Sequence, residues 1–122
     1  MSKYTSRKPH KHLYNKTAWK RLAKAQKLRE PLCRFCLERG VINDGSLDMT
    51  GARQSDPRRR FLVADHIKPH RGNLDLFLDP ENLQTLCADH HDTTKQRLER
   101  RGYSEQRGPD GWPVDPEHPA NR

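Results

Sequence analysis

Two short pairs of metal-binding side chains, far apart in the chain, limit what it can fold into. Cys33-x-x-Cys36 lies in the turn Pro31-Leu32-Cys33-Arg34-Phe35-Cys36, and Cys87-x-x-His90 lies far downstream. Each pair offers two donors from one tight turn, and tetrahedral zinc takes four sulfur or nitrogen ligands. Together the pairs use every cysteine of the chain. A zinc joining them would tie the first helix of the domain to the last. Such a set is closed, so the expected role is structural, and zinc sites of this kind contribute folding energy directly. The competing reading is three buried thiols and a surface histidine, which requires two correctly spaced pairs to coincide.

A metal tie suits this composition. The chain has 122 residues, enough for one domain, but only 31% are hydrophobic and 33% are charged. Ordinary globular chains are roughly 45–50% apolar, and small cores commonly need a metal, a disulfide or a partner. Three cysteines cannot all pair with one another, so metal-held thiols in a cytoplasmic setting fit better than a disulfide framework. The chain has neither an apolar leader nor a long apolar run, which leaves secretion and membrane spanning unsupported.

The net charge of +8 is unevenly placed. Residues 1–31 hold ten Lys and Arg against one acid, Glu30, while the rest of the chain is close to neutral. A basic arm on a neutral body points to a polyanion, nucleic acid first. The alternative is a merely solvated face. Residues 1–14 read as a flexible basic arm, 15–102 as the domain, and 103–122 as an irregular or disordered tail rich in Pro and Gly. Trp112 in that tail could dock on the body or on a partner.

Asn15 or Thr17 can cap a helix that runs to Arg29, with Trp19, Leu22, Ala23 and Gln26 on one stripe. Trp19 reads as a core anchor rather than a base-stacking platform. Residues 43–60 read as a polar loop ending in Arg58-Arg59-Arg60, either a phosphate contact or a solvated run. Phe61 to Ala64 has strand character and delivers Asp65-His66; Glu81 to Leu86 is a second extended segment. A helix is expected from about His90 to Arg101, capped by Asp89 and stopped by Gly102.

With Cys87 and His90 assigned to zinc, His91 is left over. Adjacent helical residues point about 100° apart, so His91 faces a different partner. Asp65 and His66 also point to opposite sides of a strand. One of the two can share a divalent ion with His91 while the other acts on water. Phosphodiester hydrolysis needs an activated water and charge neutralisation at phosphorus. Histidine has the near-neutral pKa for the first task, which makes His66 the candidate general base. Mixed oxygen and nitrogen donors suit Mg²⁺, Mn²⁺, Co²⁺ or Ni²⁺. Asn82 can bridge loops through its amide and steady His66.

The run Asp65-His66-x-x-Pro69-His70, then Leu76-Phe77-x-Asp79-x-x-Asn82-Leu83-Gln84-x-Leu86-Cys87-x-x-His90-His91, resembles the HNH endonuclease motif, and in particular small phage-encoded HNH proteins. The similarity extends upstream to Trp19, Leu22 and Cys33-x-x-Cys36 and spans about 15–98. It implies an α+β chain with a ββα-metal (His-Me finger) fold, in which a hairpin and a helix clasp one divalent ion. By that resemblance Asp65 and His91 bind the ion, His66 activates water, Asn82 holds the hairpin loop, and Cys33, Cys36, Cys87 and His90 bind zinc. Candidate DNA contacts are Lys68, His70, Arg71 and Lys95, with loop packing as the other reading of His70. Some phage relatives act with terminase during packaging, which makes packaging proteins candidate partners and the host cytoplasm the expected location. The chain departs from the family in three places. It has His90 where Cys is common, its lysine is displaced to Lys95 after His91, and its 43–60 loop is long. A non-catalytic zinc-containing DNA-binding or packaging adaptor is the alternative function. It would not need the Asp65, His66, Asn82 and His91 set.

Overall fold

The structure, a computed structural model, describes residues 10–121. Most of the expected basic arm, residues 1–9, lies outside the described residues. No helix among them is long and apolar enough to cross a membrane.

The chain is a small α+β unit around a two-stranded antiparallel sheet. Strand β1 (Leu62–His66) pairs with β2 (Leu83–Cys87), and Asp65 stands opposite Gln84 and His66 opposite Leu83. Helix α1 (Thr17–Arg29) and the short α2 (Arg34–Glu38) precede the sheet. Between the strands lies α3 (Leu74–Phe77), which Asn73 caps through its side chain. β2 runs directly into α4 (Ala88–Arg101). That helix ends where Gly102, at φ 78°, donates its N–H to the Leu98 carbonyl, a left-handed closure that glycine adopts without a Cβ penalty.

Side chains alternate across a strand, so the sheet has two different faces. Ala64, His66, Leu83 and Thr85 face α1, where Gln26 Nε2 donates to Thr85 Oγ1 (3.2 Å). Asp65 and Gln84 face the other way. All five residues of β2 are buried, because both faces are covered. One small core gathers Leu13, Trp19, Ala64, Phe77 and Leu83; a second gathers Leu86 with the three cysteines. The stripe expected on α1 is present: Trp19 and Gln26 are buried, and Leu22 and Ala23 pack beside them. Lys20, Arg21, Lys24 and Lys27 remain on its exposed back.

Several local expectations change. Residues 10–14 are not a loose arm. Lys11–Asn15 is a 3-10 turn that buries Leu13, an apolar side chain that the surrounding charges hid in the sequence. Neither Asn15 nor Thr17 caps α1, whose N-cap is Lys16 with no side-chain bond. Helix α4 begins at Ala88, two residues early, and Asp89 lies inside its first turn. There Asp89 accepts from Met49 N–H and from Arg59. Residues 103–121 are irregular but seated on the body. A bridge joins Arg107 to Pro113, and Asp115 is fully buried. Few apolar residues hold this segment; besides Pro113 its buried residues are Ser104 and Asp115, both polar, which is why composition did not reveal them.

Candidate metal centres

The turn before α2 and the start of α4 bring Cys33, Cys36, Cys87 and His90 together, with their donor atoms all within 4.8 Å of one another. The three thiols are buried and the imidazole is partly buried. His90 Nδ1 lies 3.4 Å from each of the three sulfurs, and Cys36 and Cys87 sulfurs are 4.0 Å apart. Zinc at its usual bond lengths would set tetrahedral edges of roughly 3.6 Å for S–N and 3.8 Å for S–S. The four donors therefore fit a tetrahedral ion such as zinc, which this group could hold. Asn43 Nδ2 donates to the Cys36 sulfur (3.5 Å), and its Oδ1 accepts from Gly45 and Leu47 N–H. The long 43–60 loop thus begins by bracing the cluster.

The thiols do not ionise alike. A hydrogen bond from Cys87 draws Cys33 down to about 4. Its negative partner and burial push Cys87 up, and burial pushes Cys36 up. A cluster that holds one thiolate against protonated neighbours is suited to a cation, which would favour the deprotonated form at all three.

On the other side of α4's first turn, His91 Nε2 lies 3.6 Å from Asp65 Oδ1. Two donors sharing one ion at about 2.1 Å stand roughly 3.0–3.4 Å apart, so only a small adjustment separates this pair from joint coordination. His91 Nδ1 is 3.6 Å from Asp92 Oδ1. Asp92 in turn pairs with Arg59 Nη2 (2.9 Å), which also binds Asp89 (2.7 Å). Arg59 is therefore committed to the start of α4 rather than free for phosphate. Burial raises the Asp65 carboxyl, opposed by the Gln84 hydrogen bond and by His91. A largely buried carboxylate with only this much compensation suits a cation. Asp65 and His91 supply two donors only, with no third Cys, His, Asp or Glu ligand completing a group among the described residues.

His66 occupies the opposite sheet face, where its ring packs in a triangle with those of Trp19 and Phe77, the centroids 4.9–5.1 Å apart. Its Nε2 donates to the Phe77 carbonyl (3.0 Å), so in the neutral ring Nδ1 carries the free lone pair. Burial holds its pKa below the usual histidine value, the Phe77 bond opposes that, and His91's charge adds to the lowering. At neutral pH His66 is an unprotonated base.

Asn82 is buried and spans three segments. Its Oδ1 accepts from Lys68 N–H (2.8 Å), and its Nδ2 donates to the carbonyls of Lys68 (3.1 Å) and Leu76 (3.0 Å). It thereby clamps the chain leaving β1 to α3, whose Phe77 carbonyl holds His66.

No family model, curated protein or solved structure matches this chain.

Two of the four candidate DNA contacts are occupied otherwise. His70 is buried; its Nδ1 accepts from Gly72 N–H (3.0 Å), which leaves Nε2 to donate to the Tyr14 oxygen (3.0 Å). It packs the loop. Arg71, at φ 47° in the left-handed region, forks onto Asp115 (3.2 Å to each oxygen) and onto the Gly102 carbonyl. Burial opposes ionisation of Asp115, but Arg71 and the N–H groups of Glu117 and Ser104 outweigh it and hold its pKa low. Lys68 and Lys95 remain exposed, the latter one helical turn beyond His91.

Burial, His66 and His10 hold His70 down to about 4. Protons then bind the unfolded chain more readily between about 6.5 and 4, so stability contributed by His70 declines as pH falls through that window. In acid titrations followed by circular dichroism, His70→Gln is expected to reduce the steepness of the loss; an unchanged slope would rule out this contribution.

Sequence reasoning missed the roles of Gln84, Arg59 and Tyr14. Gln84 Nε2 donates to Asp65 Oδ2 (3.0 Å). In the sequence it stood only as a polar position of the motif, with no role assigned. Its partnership depends on the hairpin register, which a long connection between the strands leaves open. Tyr14 was hidden in the basic arm.

Proposed function

We propose that this chain is a metal-dependent HNH-type DNA endonuclease that nicks or cleaves duplex DNA. The observation that carries the reading is the approach of Asp65 Oδ1 and His91 Nε2 across the strand–helix junction, with neutral His66 next to Asp65 on β1. The antiparallel strand pair, the helix that follows it and the Asp/His/Asn set support this reading alongside the sequence resemblance.

In this reading Asp65 and His91 hold one divalent cation, and the Cys33, Cys36, Cys87 and His90 cluster holds zinc. A cation held by Asp65 and His91 would supply charge neutralisation at the scissile phosphate and the departing oxygen. His66 accepts the proton of the attacking water at Nδ1, while the Phe77 carbonyl fixes its other nitrogen. Asn82 keeps that carbonyl and the β1 exit in register. The exposed Lys and Arg of α1, with Lys68 and Lys95, bind phosphates and give little sequence preference. Participation in phage DNA packaging beside a terminase remains part of the proposal at the level of the resemblance.

Plasmid nicking tests the reading. Supercoiled DNA is expected to be relaxed with Mg²⁺, Mn²⁺, Co²⁺ or Ni²⁺ and not after EDTA, and Asp65→Ala and His91→Ala should both be inactive. Absent nicking by clean zinc-loaded protein would favour the adaptor, and nicking that persists without a divalent ion would overturn the metal-dependent reading. Deleting residues 1–9, which carry Lys3, Arg7 and Lys8, should spare the folded turn at 10–15. It is expected to lower the slope of log K against log salt by roughly 0.9 for each phosphate that these residues neutralise. An unchanged slope would mean that they do not grip the backbone.

A further inference from the structure

The C-terminal segment reaches the Asp65 site through a pair of amides. Gln84 is fully buried on β2, directly across the hairpin from Asp65. Its Nε2 donates both to Asp65 Oδ2 (3.0 Å) and to Gln106 Oε1 (3.1 Å). Gln106 Nε2 donates back to Gln84 Oε1 (2.9 Å). An amide has two N–H donors and one acceptor oxygen, and this arrangement engages all of them on Gln84. The Asp65 carboxylate only accepts, so it sets which way the Gln84 amide faces, and the closed pair with Gln106 holds the amide in that place.

Gln106 is itself held from two sides. Its N–H donates to Ser104 Oγ (3.1 Å), and its carbonyl accepts from Val114 N–H (3.0 Å). The segment is anchored by buried Asp115, which accepts from Ser104 N–H (2.6 Å) and from the Arg71 fork. Arg71 lies in the loop that follows β1, so the anchor and the amide pair both join residues 103–121 to the elements bearing the candidate site.

We propose that Gln106 is a positioning residue for the divalent-cation site: by pairing with Gln84 it holds the Gln84 N–H on Asp65 Oδ2 and leaves Oδ1 directed at His91 and the ion. This rests on the reading of Asp65 and His91 as cation ligands. Losing a partner that orients a metal ligand typically weakens binding by about 10–100-fold. Gln84→Ala should fall in that range. Gln106→Ala, one bond further out, should weaken binding by roughly threefold to tenfold.

The test is Mn²⁺ affinity of the zinc-loaded protein, measured by the electron paramagnetic resonance of free and bound Mn²⁺, with no DNA present. Wild type, Asp65→Ala, Gln84→Ala, Gln106→Ala and the Gln84/Gln106 double variant are compared, with zinc content and circular dichroism as fold controls. The expected result is Asp65-dependent binding, weaker binding in Gln106→Ala, and a double variant no weaker than Gln84→Ala alone, because Gln106 acts only through Gln84. Asp115→Asn, which keeps Gln106 but loosens its anchor, should weaken binding in the same direction. If wild type binds Mn²⁺ through Asp65 and Gln106→Ala binds equally well, the positioning role is overturned and the cation site stands. Additive losses in the double variant would also overturn it, since Gln106 would then act by another route. If wild type shows no Asp65-dependent binding, the cation-site reading fails, and this role fails with it.

Discussion

Replacing His66 is expected to reduce plasmid nicking by about 10²–10⁴-fold, the usual contribution of a positioned general base. The structure alters which replacement is informative. His66 packs against both Trp19 and Phe77, so alanine would empty part of the core as well as remove the base. Glutamine fills more of that space, and its amide can still donate to the Phe77 carbonyl. His66→Gln should therefore keep zinc content and melting behaviour close to wild type while losing activity, and His66→Ala should lose activity together with some stability. The pH profile adds a second check. Because burial holds His66 below the ordinary histidine value, nicking should be flat across neutral pH and fall only at acid pH. Undiminished nicking by a clean His66→Gln preparation would falsify the base assignment.

Breaking the Cys33, Cys36, Cys87 and His90 cluster is expected to have a different effect. Cys87→Ser or Cys33→Ser should lose bound zinc and the cooperative melting transition together. Structural zinc in small domains supplies an apparent 10–16 kcal/mol or so, which is comparable to the whole stability of an ordinary domain. Here Cys33, Cys36 and Cys87 also form most of the second core with Leu86, so the ion and the packing stand or fall together. Zinc measured by atomic absorption and melting followed by circular dichroism give the answer. A well-folded variant that carries no zinc would show that the cluster is not structural. The two experiments separate scaffold from chemistry: one should remove activity from a folded protein, the other should remove the fold.

Much of the scaffold was legible from local pattern. The x-x spacing of each donor pair fixes which side chains share a turn, and a glycine after the last helix marks its end. Alternation along β1 put Asp65 and His66 on opposite faces, and helical geometry separated His90 from His91. These are properties of neighbours in the chain. Arg71, His70 and Gln106 depend on something else. Arg71 and His70 resembled free basic groups beside a DNA-binding site. Their partners, Asp115 and Tyr14, come from segments whose composition suggested loose chain. A few buried polar bonds ordered those segments, and such bonds leave no periodic mark.

The sequence by itself determined the donor chemistry: three thiols and an imidazole at zinc spacing, and an aspartate and histidines of mixed oxygen and nitrogen character. Local backbone geometry converts those spacings into directions without reference to the rest of the molecule. Only the tertiary structure decided that Asp65 meets His91 at 3.6 Å, that Gln84 stands opposite Asp65, and that Gln106 closes the amide pair. Those meetings join residues from separate segments. Strand register and the seating of residues 103–121 set them, and both depend on tertiary packing.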